Sequence, residues 1–168
     1  SFLIKKNFTC ILNSRKKISL PKLKKKYFLY RQDILNKNFK IPNCDIVIHT
    51  AYITPEKKNL KRIKINKKID EKIFNQIKQN RKIKKLIFIS TASVYHPLNA
   101  QKKINERLGR LNNSEYAKCK IKAEKMFLRN KSIKVFNLRI PGLLLTSKET
   151  NFISNLIYNI KIGTKVKL

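Results

Sequence analysis

The chain has 168 residues and 42% of them are hydrophobic, enough to close one core and too many for a compositionally disordered segment. Its 41 Lys and Arg outnumber 9 Asp and Glu, giving a net charge of +32 and an evident attraction for polyanions. Lys exceeds Arg 33 to 8, Lys, Ile and Asn supply 75 residues, and basic residues are spread along the chain instead of forming one stripe; that is the imprint of A- and T-rich codons more than of an Arg-based nucleic-acid reader.

No apolar run approaches the ~18 residues a membrane-spanning helix needs, and no signal-peptide pattern is present. Cys10, Cys44 and Cys119 are odd in number and lack CxxC spacing. They read as buried thiols in a reducing, cytoplasmic setting, not as disulfides or zinc ligands.

Residues 1–7 read as the tail of a helix that Ser1 enters part-way. Phe8 to Leu12 is the first predicted strand, turning at Asn13-Ser14-Arg15. Residues 16–26 form a basic loop or short helix around Pro21, before a second strand from Tyr27 to Tyr30 that runs into Asp33-Ile34. Pro42 precedes the third strand, Asp45 to His49. Ile69, Ile73 and Ile77, four apart, mark the apolar stripe of a helix. Leu86 to Ile89 is a fourth strand, continuously apolar as when both sheet faces are covered. A loop with Pro97, Asn99 and Gly109 leads to Ser114, the predicted cap of a helix carrying Glu115, Tyr116, Lys120, Ala123 and Phe127. Ile133 to Leu138 is the fifth strand, closed by Pro141-Gly142. Residues 151–160 are predicted helical, and residues 165–168 begin a further strand. Strands alternating with helices predict an α/β fold, a doubly wound parallel sheet with crossover helices in one domain over residues 1–168. Ligands of such sheets sit beyond the carboxyl ends of the strands, where Asp33, Thr50, Ala51, Thr91 and Pro141 fall.

Tyr116 and Lys120 stand four residues apart, 25 residues after Thr91. On a helix that spacing puts both on one face, so the ammonium can favour phenolate and lower a pKa ordinarily near ~10. Such a phenolate can take a proton from a substrate hydroxyl, with the Thr91 hydroxyl orienting that oxygen. Among this many lysines the same spacing arises by chance, and a surface tyrosine beside a solvated lysine satisfies it equally.

Context decides between the two. Asp33-Ile34 after a strand, Asp-Ile-Val-Ile-His-Thr-Ala-Tyr (Asp45 to Tyr52), Asn66, Leu-Ile-Phe-Ile-Ser-Thr-Ala-Ser-Val-Tyr (Leu86 to Tyr95), Asn105-Glu106, Tyr116-x-x-x-Lys120, Ala123-Glu124 and Leu138 to Gly142 follow in one order. In that order the chain resembles the extended short-chain dehydrogenases, the NAD-dependent epimerase/dehydratase family acting mostly on nucleotide-sugars, from its first strand to Gly163. The resemblance implies a Rossmann-like sheet and NAD or NADP as cofactor. It implies Thr91, Tyr116 and Lys120 as the catalytic residues, with Lys120 also holding the nicotinamide ribose. Asp33 and Ile34 would meet the adenine, and Thr50, Ala51 and Tyr52 would line the dinucleotide. Asn66 would brace the active-site strand, His49 would support its loop, and Pro141 would lie by the nicotinamide. Asn151 would touch the substrate diphosphate, and Arg15 would suit a 2′-phosphate. It further implies a homodimer through the helix bearing Tyr116 and the helix before the fourth strand.

The chain departs from the family at both ends. Its glycines are Gly109, Gly142 and Gly163, so it lacks the Gly-rich first strand and turn that hold the pyrophosphate. His96 stands where the family has Gly after Val-Tyr, and most of the substrate lobe is missing. The expectation is therefore an N-terminally truncated piece of a longer epimerase, dehydratase or reductase. The competing readings are a degenerate non-catalytic remnant, a polyanion-binding protein on the same scaffold, and a dinucleotide sensor, which would commonly lack the tyrosine. Steep weakening by salt would mark the polyanion binder.

Overall fold

The computed structural model describes residues 8–15, 27–53, 60–95 and 114–141. Within them the order is β1 (Cys10–Asn13), β2 (Tyr27–Tyr30), β3 (Ile46–His49), α1 (Leu60–Gln79), β4 (Lys85–Thr91), a 3₁₀ turn (Ala92–Val94), α2 (Glu115–Leu128) and β5 (Lys134–Ile140). Every strand pair is parallel, β1 with β2 and β3–β4–β5 as a three-stranded sheet. The predicted helices and strands over residues 1–7, 16–26, 151–160 and 165–168 lie outside the described residues.

The strands answer to their partners more than to local hydrophobicity. β1 starts two residues later than the apolar run suggests, because Cys10 to Asn13 align with Tyr27 to Tyr30. β4 and β5 extend through Ser90-Thr91 and Arg139-Ile140, which face each other across the ladder. Ser114 caps α2 as expected: its hydroxyl accepts from the Ala117 amide at 3.2 Å, satisfying a donor the helix leaves open.

Period-two alternation sorts the three-stranded sheet. Val47, Leu86, Phe88 and Val135 face α1 and α2, where Ile73, Ile77, Ala123 and Phe127 meet them. Phe88 and Phe127 stand 5.0 Å apart at the centre, a tilted aromatic pair. The other face is different. Ile48 and Phe136, aligned through Ile87, are 47% and 48% exposed, and Leu138 is 45% exposed. The apolar fourth strand itself is buried at Leu86 and Phe88 and half-buried at Ile87 and Ile89, so the exposure on this face falls on its neighbours β3 and β5. Cys10, Cys44 and Cys119 are free, and half-buried where burial was expected. No helix among the described residues is long and apolar enough to cross a membrane.

Candidate active site

The carboxyl ends of β3, β4 and β5 deliver Thr50, Thr91 and Pro141 to one place, the position at which parallel strands present ligands. α2 enters beside them and adds Tyr116 and Lys120 from successive turns. Together these residues line a cleft of about 580 Å³, with Tyr52, Ser93 and Ile140 completing its walls. Ala51 is half-buried and does not border it.

Each side chain is held by named contacts. The Thr91 hydroxyl accepts from the Ser93 amide at 3.1 Å, capping the 3₁₀ turn that ends β4. It lies near enough to the Tyr116 phenol to favour its ionisation, but burial outweighs this and raises the phenol above its usual 10.0. The lowered pKa expected from helical spacing is therefore not what this geometry produces. The lysine, meanwhile, is engaged elsewhere. Lys120 is 5% exposed, donates to the Ile89 carbonyl at 2.9 Å, and sits 3.9 Å over the Tyr52 ring and 4.7 Å over Phe88.

Burial pushes Lys120 from 10.5 down to about 8, although Asp70 and Glu124 favour its charge. Between those values the unfolded chain binds a proton that the folded chain does not, so stability rises with pH there. Cys44 and Cys119, raised by burial from 9.0, oppose the rise above that pH, and Tyr52 and Tyr116 oppose it above 10.0. Stability should climb from about pH 8 to 9 and then level or fall. Lys120→Met should remove the climb in thermal melts; a wild-type curve flat over that interval would contradict the placement.

The bracing residues are equally specific. Asn66 on α1 is 1% exposed; its Oδ1 accepts from the Ile53 amide and its Nδ2 donates to the Ile53 carbonyl, both at 2.8 Å. It braces the segment after β3, not β4. His49 contacts Asp70 of α1 at 2.8 Å between buried side chains, tying β3 to the helix instead of supporting the loop.

Arg15 and Asp33 meet at the ends of β1 and β2, 3.9 Å apart and largely exposed. Asp33 Oδ1 accepts from the Leu35 amide at 2.9 Å and so closes a turn. Ile34 packs against the core cluster. Asn151 lies outside the described residues.

Sequence reasoning overlooked one cluster. Glu124 of α2, fully buried, takes Ser90 Oγ–H at 2.6 Å and Arg139 Nε and Nη2 at 3.0 and 2.9 Å; Arg139 Nη1 donates to the Tyr95 hydroxyl at 2.8 Å. Glu124 raises the Arg139 pKa further. A signal was available: Ser90 follows Leu86 and Phe88 on the inward face of β4, and Arg139 is its cross-strand partner. An arginine at an inward strand position requires a buried acid.

A family model described as NAD dependent epimerase/dehydratase matches residues 4–168. No curated protein matches the chain. Among solved structures, UDP-glucuronic acid 4-epimerase from Bacillus cereus, in complex with NAD, is 26% identical over 71% of this chain and 40% of its own, with a TM-score of 0.58. A protein of Burkholderia cenocepacia described as a putative epimerase superposes over 96% of this chain and 55% of its own at TM-score 0.78 and 13% identity. UDP-glucose 4-epimerase of Thermotoga maritima, with UDP-glucose, matches 98% of this chain and 59% of its own at TM-score 0.71 and 19% identity. The last two likenesses are of fold. The chain spans about half the length of the structures it resembles.

Proposed function

The chain belongs to the NAD dependent epimerase/dehydratase family, and from that premise we propose that it forms the acid/base half of a site acting on a nucleotide-sugar by epimerisation, dehydration or reduction. The observation that carries the reading is the convergence of Thr91, Tyr116 and Lys120 on one cleft.

The residues present fit the nicotinamide end of a dinucleotide. Apolar Ile89, Ile140 and Pro141 offer a ring-sized wall beside the Thr50 and Thr91 hydroxyls. A bound nicotinamide would supply the hydride-accepting chemistry beside this wall. Tyr116, as phenolate, takes the hydroxyl proton of the sugar carbon, and Thr91 holds the same oxygen in line. Lys120 would release the Ile89 carbonyl to engage the ribose hydroxyls.

At the adenine end, Asp33 stands near enough to Arg15 to offset the charge a 2′-phosphate needs, which supports NAD over NADP. The 168-residue sequence has no Gly-rich turn before β1 to cradle a pyrophosphate. A homodimer through α1 and α2 belongs to the same reading, as does a cytoplasmic location; the groove between those helices carries Lys64, Lys67, Lys122 and Lys125, so pairing should strengthen with salt.

Calorimetric titration with NAD and NADP, followed by incubation with NAD and UDP-glucose or UDP-glucuronic acid, tests the proposal. Saturable NAD binding, weaker NADP binding and interconverted 4-epimers are expected. A protein that binds neither dinucleotide overturns it.

A further inference from the structure

Tyr52 is a second phenol in the cleft, and its contacts are unusual for a residue on the segment after a strand. Its ring lies 3.9 Å beneath the Lys120 ammonium and meets the Tyr116 ring in a T-shaped arrangement at 5.5 Å. One side chain thus touches both groups to which acid/base chemistry is assigned above. Its backbone is not free to drift, because the next residue, Ile53, is gripped at both its amide and its carbonyl by buried Asn66. The grip passes the rigidity of α1 to the Tyr52 ring.

We propose that Tyr52 is a positioning residue whose ring face holds the Lys120 ammonium and whose packing against Tyr116 sets the spacing of lysine and phenol. A cation over an aromatic face is stabilised most where water is excluded, and Lys120 is buried. The other polar partner of the ammonium is the Ile89 carbonyl of β4 at 2.9 Å. Around it lie Asp70 from α1, bound to His49 of β3, and Glu124 and Cys119 from α2 itself. β5 contributes Arg139, already engaged by Glu124. Among the described residues the ammonium meets the Ile89 carbonyl, the Tyr52 ring and, farther off at 4.7 Å, the Phe88 ring, so these define its position. Ligand oxygens that draw Lys120 forward must compete with both.

The experiment follows the pH dependence of Lys120 acetylation by acetic anhydride, read by mass spectrometry, in the full chain. Wild type is compared with Tyr52→Phe, Tyr52→Leu and Tyr52→Met. Losing the ring face removes an interaction made only by the charged amine, so the midpoint should fall by about one pH unit in the Leu and Met variants. Tyr52→Phe keeps the ring and should keep the midpoint. Equal midpoints in all four proteins overturn the proposal, and so does a fall in Tyr52→Phe, which would assign the effect to the hydroxyl; if the Leu and Met variants do not fold, pentafluorophenylalanine at position 52 keeps the ring's shape without its negative face and should lower the midpoint, and an unmoved midpoint there overturns the proposal.

The catalytic meaning rests on the epimerase/dehydratase reading, and a second measurement separates the two. If the protein turns over nucleotide-sugar, the alkaline limb of its pH–rate profile should move with the labelling midpoint. A shifted midpoint without turnover would leave Tyr52 positioning Lys120 and remove the enzymatic reading. Turnover with an unmoved midpoint would do the reverse.

Discussion

Glu124→Ala is expected to cost about 3–5 kcal/mol of folding stability, the range for breaking a buried ion pair by deleting one partner. The glutamate is wholly buried and Arg139 retains only 11% of its side-chain exposure, so the deletion strands a guanidinium with little access to water. It also leaves Ser90 Oγ without the carboxylate that accepts its proton at 2.6 Å. Because a domain of this size holds only about 5–15 kcal/mol in total, the loss should be plain in denaturant titration as a lower midpoint. The pair itself need not be strongly stabilising. Replacing both members, as Glu124→Leu with Arg139→Met, should recover most of the deficit, since apolar side chains of similar volume carry no desolvation cost. A single variant as stable as wild type would show that the guanidinium finds water, and the buried bidentate geometry would be wrong.

Tyr116→Phe is expected to lower turnover by about 10²–10⁴-fold, the contribution of a positioned acid/base group. The ring remains, so its T-shaped contact with Tyr52 and the fold around it should persist, and dinucleotide affinity should change little. The Thr91 hydroxyl keeps the Ser93 amide at 3.1 Å. Single-turnover nicotinamide absorbance, measured with sugar nucleotide and enzyme in excess, isolates the chemical step from product release. Equal rates in wild type and variant would remove Tyr116 from the reaction even if cofactor binding were intact. Since burial raises the wild-type phenol, its rate should increase toward alkaline pH until Lys120 loses its charge.

Much of this was legible in the residues because local signals and tertiary pairing agree. Tyr27 to Tyr30 is both an aromatic run and a strand, and Ser114 both resembles a cap and acts as one. The isoleucines at 69, 73 and 77 face the core as their spacing requires. What failed to show was whatever depends on a third dimension. The extension of β4 and β5 through polar residues comes from the parallel ladder, which continues wherever a partner strand offers backbone groups. Glu124 stands in the sequence as part of the Ala123-Glu124 match, but nothing local shows that Ser90 and Arg139 converge on it. Spacing placed Tyr116 and Lys120 on one face, but not the direction of the ammonium, which a carbonyl and an aromatic ring decide.

The exposed apolar side chains on the outer face of the three-stranded sheet have a practical result. Ile48, Phe136 and Leu138 form an adhesive row on a molecule whose +32 charge keeps its neighbours at a distance. Near 1 M salt the repulsion reaches only about 3 Å, and nothing then stops two such rows from meeting. Purification in concentrated salt, the usual remedy for a basic protein, should bring this one out of solution, whereas dilute buffer should keep it clear.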